Sequence, residues 1–311
     1  MKIFVTGATG FVGSAVVREL LRAGHEVLGL ARSDAAAQSL VAAGAKAYRG
    51  QLEDLEGLRR AADESDGVIH TGFSHDFSKF KENCALDRKV IETLGSTLGA
   101  ADRPLIITSA IGVLPPGARV TEETRPLSPS PNPRAASEKA VRALIESGAR
   151  VSIIRLPPSV HGDGDHGFVP ILIKIAREKQ ASAFIGAGAN RWPAVHRLDA
   201  ARVYKLALDE AAHGAYYHAV AEEGVPYREI AEVIGRRLNV PVVSKSPEEA
   251  AGHFTWFAHF AALNVLASSE WTQAKLGWRP TQPELCADID RPGYFEQPHI
   301  PVTSHGGILL S

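Results

Sequence analysis

Glycines recur at every third position near the start of the chain, within the loop Thr6 to Gly13. The apolar run Ile3 to Val5 precedes this loop and predicts a strand, and the apolar spacing from Ser14 to Ala23 predicts a helix after it. Glycines spaced in this way allow a tight turn, close approach of a pyrophosphate, and close packing of helix on strand. The free N–H groups at the start of the helix then attract phosphate. We therefore expect a dinucleotide to bind the residues of this loop: Gly7, Thr9, Gly10, Phe11, Val12 and Gly13.

The residues after the second predicted strand indicate which dinucleotide this is. NAD sites usually carry an acidic side chain here, which binds the ribose 2′-hydroxyl. This chain has Arg32 and Ser33, and the first acid comes only at Asp34. Arg32 could pair with a 2′-phosphate, with Ser33 as a second donor, although it could also be a solvated surface arginine. The pattern favours NADP(H).

Short apolar runs alternate with longer periodic segments over the first half of the chain. Such alternation predicts crossover units and a parallel sheet. We therefore expect an α/β fold, a Rossmann doubly wound parallel sheet, over residues 1–160. A smaller, mostly helical substrate-binding region is expected over 161–311, with 195–225 packing back on the Rossmann domain. Helices in that second region are predicted near 169–179, 198–211, 227–238 and 256–266.

The composition excludes several classes of protein. A formal net charge of -1 leaves no basic field for nucleic acid. Two cysteines suggest neither a disulfide framework nor a zinc site, and the acidic and histidine residues of 161–166 lack the spacing of a calcium loop. The longest apolar candidate, 253–267, is too short and too polar to cross a bilayer. Because the glycine loop begins at residue 6, we expect no signal peptide and a cytoplasmic protein.

Motifs along nearly the whole chain resemble those of the extended short-chain dehydrogenases/reductases, in the epimerase/dehydratase-like branch. Besides the glycine loop, similar segments occur in the family order. They are Gln51-Leu52, Val-Ile-His-Thr-Gly at 68–72, Ile-Thr-Ser-Ala at 107–110, Arg-Leu-Pro-Pro-Ser-Val-His-Gly at 155–162, Val-His-Arg-Leu-Asp-Ala-Ala at 195–201 and Leu-Gly-Trp-Arg-Pro at 276–280.

This resemblance implies roles for individual residues. Gln51 stands where the family usually has an aspartate near the adenine, and its amide can still form a hydrogen bond there. The helices predicted at 83–98 and 134–147 resemble those that pair subunits in the family, which implies a homodimer. The resemblance assigns six residues to the path of the cofactor and its nicotinamide: Leu52, Thr71, Gly72, Ser109, Pro157 and Val160.

The pair of residues that transfers protons in the family is a tyrosine and a lysine one helical turn later. The corresponding segment here, 132–139, reads Asn-Pro-Arg-Ala-Ala-Ser-Glu-Lys. One alignment, which keeps the Ala-Ala-Ser interior of the motif, puts Arg134 at the tyrosine position and Glu138 at the lysine position. Aligning on Lys139 instead puts Ala135 at the tyrosine position. Neither alignment recovers a tyrosine.

Arg134 and Glu138 have two interpretations. They could form an ion pair on the helix surface, or Arg134 could polarise a substrate oxygen or bind an anionic group while Glu138 orients it. A guanidinium stays protonated, so Arg134 would stabilise charge and not donate a proton.

Other side chains could assist the reaction at the substrate itself. Ser109 occupies the family's usual hydroxyl position, where it could hydrogen-bond a substrate carbonyl. His75 and His161 follow the fourth and sixth predicted strands and could donate a proton, or simply bond locally.

These features predict an NADPH-dependent oxidoreductase that reduces a carbonyl or imine group of a small substrate by hydride transfer. The aromatic stretch 253–260 is typical of a helix core, but if it lines the pocket the substrate is bulky and apolar. Two alternatives stay open: a redox-sensing regulator that binds NADP(H) without catalysis, and an epimerase or dehydratase that recycles its cofactor.

Overall fold

The main sheet has seven parallel strands in the order β3-β2-β1-β4-β5-β7-β11. The computed structural model describes residues 1–99 and 101–296. The strands are β1 (Lys2–Thr6), β2 (Glu26–Ala31), β3 (Lys46–Arg49), β4 (Gly67–His70), β5 (Leu105–Ala110), β6 (Arg119–Val120), β7 (Val151–Leu156), β8 (Ser159–His161), β9 (Ser182–Ile185), β10 (Arg191–His196), β11 (Tyr216–His218), β12 (Glu222–Pro226), β13 (Val242–Lys245) and β14 (Leu266–Ala267).

Helices connect these strands and cover both faces of the sheet, as in a Rossmann fold. They are α1 (Phe11–Arg22), α2 (Asp34–Ala42), α3 (Leu55–Asp63), α4 (Phe80–Gly99), α5 (Ala135–Glu146), α6 (Phe168–Lys179), α7 (Arg197–Glu210), α8 (Tyr227–Leu238), α9 (Pro247–Phe254), α10 (Ala258–Ala261), α11 (Glu270–Leu276), α12 (Leu285–Ile289) and α13 (Gly293–Glu296).

Alternation along the strands divides the apolar residues between the two faces of the sheet. In β1, Ile3 and Val5 pack with α1 and α7, whereas Phe4 packs with α3, α4 and α5 on the other face. Because both faces are covered, these strands are almost continuously apolar. The strand order reverses between β1 and β4, and ligands of such sheets bind at the carboxyl ends of the strands at that point.

The later part of the chain contributes both to the sheet and to a second core. Helix α7 packs on α1, and β11 pairs with β7, so this stretch returns to the Rossmann sheet. The second core surrounds Trp192, with Tyr227 and Phe257 among its fully buried side chains. Short strands that the sequence pattern did not predict, such as β8 and β10, run through this region. No helix within residues 1–99 and 101–296 has the length and apolar character to span a membrane.

Candidate cofactor and active site

The glycine loop packs so closely against its own backbone and the residues after β4 that two of its positions admit only glycine. Gly7 has a φ of +64°, and a Cβ on it would lie 2.7 Å from the amide nitrogen of Gly72. A Cβ on Gly13 would lie 2.0 Å from the carbonyl oxygen of Gly7. Helix α1 begins after Gly10 without a side-chain cap and has no acidic residue in its first turn. Its first N–H groups are therefore available to an anion, which fits the diphosphate of a dinucleotide.

Residues from β4 and from the loop after β3 gather beside this glycine loop. The hydroxyl of Thr71 donates to the carbonyl oxygen of Thr6 at 2.8 Å, and the N–H of Gly72 donates to Thr6 Oγ1 at 3.2 Å. The side chain of Leu52 lies 3.1 Å from where a Cβ of Gly72 would be. Gln51 is exposed next to Leu52.

At the end of β2, Arg32 and Ser33 are both exposed. Ser33 caps α2, and its Oγ accepts from the N–H of Ala36 at 3.2 Å. Arg49, which the sequence reasoning missed, is exposed here as well. It ends β3, pairs in register with Ala31 and lies 2.9 Å from the carboxylate of Asp34. Its position as the last residue of the adjacent strand was the signal that could have identified it.

Arg134 does not pair with Glu138, so the interpretation as a surface ion pair between them is wrong. Arg134 lies just before α5, is only 9 % exposed, and its Nη1 binds the carboxylate of Asp87 on α4. The same nitrogen donates to Ser137 Oγ at 2.5 Å, and Nη2 donates to the carbonyl oxygen of Thr108 at 3.0 Å. The guanidinium carbon stands 4.2 Å from the ring centre of Phe73. Arg134 is therefore a fixed, nearly buried cation.

Asp87 connects Arg134 to the glycine loop. Its Oδ1 is 3.1 Å from His70 Nε2, and His70 Nδ1 is 2.6 Å from Thr6 Oγ1, next to Gly7. Burial alone would raise the pKa of Asp87, but Arg134 and the hydrogen bonds from His70 and Ser137 lower it to about 2. Asp87 is therefore an anion at neutral pH. The sequence reasoning missed it, although an acid on the apolar face of α4 was a visible signal.

Glu138 binds Arg155 on β7, so the expectation that it orients Arg134 is also wrong. Arg155 Nε lies 2.9 Å from Glu138 Oε1 and Nη2 lies 2.7 Å from Oε2, with both side chains buried. Ser109 Oγ donates to Glu138 Oε1 at 2.7 Å. Because this bond uses the hydroxyl proton, Ser109 could bind a substrate carbonyl only after leaving Glu138.

His75 lies in the loop between β4 and α4, and its side chain is exposed. Its ring stands 5.2 Å from that of Phe73. Loss of hydration against its neighbours, together with Arg134 and His166, lowers the pKa of His75 from its ordinary value. The neutral ring is therefore favoured at pH 7.

A group of aromatic side chains lies next to His75, beginning with Phe77. Phe77, in the loop before α4, lies 5.7 Å from Trp256 and 5.4 Å from Phe260, measured between ring centres. Trp256 is 49 % exposed, whereas its neighbours Phe254 and Phe257 are buried in the second core. Within the aromatic stretch 253–260, Phe254 and Phe257 are therefore core residues, whereas Trp256 lies at the surface.

His161 lies at the end of β8 and is fully buried, not in an open loop as expected. Its Nδ1 is 2.8 Å from Asp288 Oδ2, and its ring is 5.3 Å from that of His196. Pro157 is buried just before β8, and Val160 is half-buried on that strand. His161 has no surface through which it could reach a substrate in this arrangement.

Comparison with known proteins agrees with the architecture of the fold and the glycine loop. Residues 3–220 match the NAD dependent epimerase/dehydratase family. A Schizosaccharomyces pombe protein, described as uncharacterized protein C2A9.02, is 50% identical over 295 residues, which cover 95% of this chain and 100% of that protein. The 2-alkyl-3-oxoalkanoate reductase of Stenotrophomonas maltophilia is 28% identical over 79% of this chain and 78% of its own.

A solved structure extends this likeness to the whole fold. The UDP-glucose 4-epimerase of Thermus thermophilus in complex with NAD is 25% identical and has a TM-score of 0.70. The match covers 93% of this chain and 97% of that one. The chain belongs to the NAD-dependent epimerase/dehydratase family.

Proposed function

We propose that this protein is an NADPH-dependent reductase of carbonyl or imine groups in small, apolar, preferably aromatic substrates. One observation carries the proposal: a fixed cation, Arg134, packs on the ring of Phe73 and is linked through Asp87, His70 and Thr6 to the glycine loop. Aromatic contacts continue from Phe73 through Phe80 and Phe77 to the exposed Trp256. We infer that the substrate binds in a cleft between Arg134 and these rings. The cleft and the cofactor loop therefore adjoin. A relative named as a reductase of 3-oxo compounds supports the same class of reaction.

The residues of the cleft suggest how a carbonyl would be reduced. The nicotinamide, when bound, supplies the hydride. Arg134 stabilises the negative charge that develops on the substrate oxygen. Asp87 holds the guanidinium in place and compensates its burial. Ser109 becomes a second donor to that oxygen when it turns away from Glu138.

The proton in this proposal comes from the solvent side of the cleft. Arg134 cannot release one, because its guanidinium stays protonated. His75 is neutral and borders the cleft, so it can pass a proton from water to the product oxygen by accepting one and donating another. His161 takes no part in the proposed reaction, since it is buried against Asp288.

The preference for NADPH rests on the end of β2. Arg32 has no acidic neighbour before Asp34, and Arg49 adds a second guanidinium from β3. We expect Arg32→Ala to raise the Kd for NADPH about tenfold or more, because a charge-assisted bond to the 2′-phosphate is lost, and to leave the Kd for NADH nearly unchanged.

Titration of cofactor fluorescence measures both dissociation constants. Arg59→Ala, which removes an exposed arginine from α3, is the matched control and should change neither. An equal loss of affinity for NADPH and NADH in Arg32→Ala would overturn the preference for NADPH.

Turnover is tested by mixing the protein with NADPH and a panel of aldehydes, ketones and cyclic imines while following the absorbance of the reduced cofactor. We expect oxidation of NADPH with aromatic aldehydes or ketones. Tight binding that differs between NADP⁺ and NADPH, with no turnover on any compound, would replace the reductase by a redox sensor. Interconversion of a sugar nucleotide without net oxidation of cofactor would indicate an epimerase.

A further inference from the structure

Arg197 reaches from the start of α7 to the glycine loop. Its Nη2 donates to Ser14 Oγ on α1 at 2.8 Å, and its Nη1 donates to the carbonyl oxygen of Asp163 at 2.8 Å. Its guanidinium carbon lies 4.5 Å from the ring centre of Phe11, the first residue of α1. The side chain therefore bridges the N-terminal turn of α1 and the segment 162–167, which joins β8 to α6.

The charge of Arg197 is not neutralised within residues 1–99 and 101–296. The carboxylate of Asp163 pairs with Arg291 at 3.0 Å, and that of Asp165 accepts from the N–H of Gly167 at 2.7 Å. Arg197 Nε is buried and has no hydrogen-bond partner in this part of the chain. Burial and nearby Arg18 lower the pKa of Arg197, against the opposing effect of the two aspartates.

Two helix termini increase the positive potential around this guanidinium. Arg197 is the first residue of α7, and the first turn of α1 lies against its side chain. Each helix N-terminus carries about half a positive charge, so a cation at both is unfavourable by itself. An anion between them would remove this conflict.

The backbone of segment 162–167 is shaped around Arg197. Gly162 has a φ of +132°, and a Cβ on it would lie 3.0 Å from Arg197 Cγ and 2.8 Å from His196 Nε2. From the same segment, the ring of His166 packs 5.6 Å from that of Phe11.

We propose that Arg197 is a side-chain ligand of the cofactor diphosphate, which it binds together with the free N–H groups of α1. A diphosphate carries the charge that this cation lacks, and a guanidinium can donate two parallel bonds to phosphate oxygens. The inference rests on the proposed function only in requiring that a dinucleotide occupies the glycine loop.

The experiment compares two ligands that differ in the diphosphate. NADPH contains it, whereas adenosine 2′-monophosphate reaches only the adenosine end of the site. We expect Arg197→Met to raise the Kd for NADPH about tenfold or more and to change the Kd for adenosine 2′-monophosphate less than about twofold. Arg197→Lys should restore part of the affinity for NADPH, because lysine keeps the positive charge but cannot donate two parallel hydrogen bonds.

Arg22→Met is the matched control, since it removes an exposed cation from the last turn of α1 and should leave both affinities unchanged. Thermal unfolding of each variant reports whether the fold is intact. Unchanged NADPH affinity in Arg197→Met, or equal losses for both ligands, would overturn the role of Arg197. If the wild type bound only NADH, the proposed cofactor would be wrong. The role of Arg197 would then be tested by comparing the Kd values for NADH, which contains the diphosphate, and for adenosine, which lacks it. If the wild type bound neither dinucleotide, both proposals would be overturned.

Discussion

Arg134 and Asp87 are a buried ion pair whose two charges depend on each other. In Arg134→Ala the carboxylate of Asp87 stays buried without its cation, so we expect the free energy of unfolding to fall by about 3–5 kcal/mol. The double variant Arg134→Ala, Asp87→Asn removes both charges and should recover much of that loss. Its kcat/KM should nevertheless remain about 10²–10³-fold below that of the wild type, because no cation faces the substrate oxygen.

Chemical denaturation and steady-state kinetics measure these two effects separately. Lys139→Ala, at an exposed position of α5, is the control and should change neither quantity. Recovery of activity together with stability in the double variant would mean that Arg134 only supports the fold.

At the residue scale, the sequence predicted local motifs better than it predicted which distant side chains bind each other. The glycine loop depends on neighbours within a few positions, so its spacing was informative. Arg134 and Asp87, in contrast, are 47 residues apart, and Glu138 and Arg155 are 17 apart. No spacing rule joins such pairs, because the packing of α4, α5 and β7 brings them together. The neighbour one turn away was therefore the wrong partner for Arg134.

The segment that carries Trp256 and Phe260 is the aromatic wall of the proposed substrate cleft. We expect Trp256→Ala to raise the KM for an aromatic aldehyde about tenfold, because the ring loses an apolar contact, and to change the KM for a short aliphatic aldehyde little. Trp271→Ala is the matched control. Its indole is 45% exposed and stacks on Tyr217, so neither KM should change. Equal effects of Trp256→Ala on both KM values would mean that Trp256 does not contact the substrate.

Segment 162–167 contains a carboxyl group that resists ionisation. Burial raises the pKa of Asp165 to about 7, despite hydrogen bonds from Gly167 and Tyr294. A carboxyl whose pKa is raised in the folded state contributes stability below its unfolded pKa, and that stability is lost as the pH rises toward 7. We expect the wild type to lose about 3–4 kcal/mol of unfolding free energy between about pH 4 and pH 8 from this group.

Asp165→Asn keeps the shape and the bond to Gly167 but cannot ionise. Its stability relative to the wild type should therefore increase with pH, as measured by denaturation at several pH values. Asp163→Asn, at an exposed position of the same segment, is the control and should show no such trend. Parallel pH profiles for the wild type and Asp165→Asn would contradict the raised pKa.

At the element scale, long helices could be predicted from the sequence, whereas short strands could not. The helices of the Rossmann half and α6 to α8 lie within a few residues of their predicted positions because each spans several turns of periodic burial. Strand β8 has three residues inside a predicted loop, and β10 contains Pro193, so neither has a recognisable pattern. The helix predicted over 256–266 ends at Ala261, after Thr255 takes a φ of +54°. Packing against Phe168 and Phe77 determines that segment, and periodicity alone does not show it.

The two halves of the molecule are tied together by chain segments that return to the sheet. Helix α7 carries Arg197 to the glycine loop, and β11 extends the sheet beside β7. Segment 162–167 meets α13 through Tyr294, whose hydroxyl accepts from the N–H of Gly162 at 2.8 Å. The groups proposed to bind the diphosphate therefore come from both halves. The division into a Rossmann domain over 1–160 and a substrate-binding region over 161–311 stays a prediction.

The homodimer expected from the resemblance would form on the outer faces of α4 and α5. Their exposed side chains are mostly charged and of both signs, with Arg88, Lys89, Lys139 and Arg142 as cations and Glu82, Glu92 and Glu146 as anions. Contacts between such faces would be ion pairs, which salt screens strongly. We therefore expect a dimer at about 0.05 M salt that dissociates near 1 M, where the screening length falls to about 3 Å. Sedimentation velocity at the two salt concentrations measures this change.

Charge reversal identifies the surface. Arg88→Glu should weaken the dimer at low salt, because it places like charges opposite each other or breaks a pair across the interface. Arg22→Glu, at an exposed position of α1 on the other side of the sheet, is the matched control and should leave the dimer unchanged. A dimer that resists both salt and Arg88→Glu must use another surface. A monomer at low salt would contradict the dimer itself.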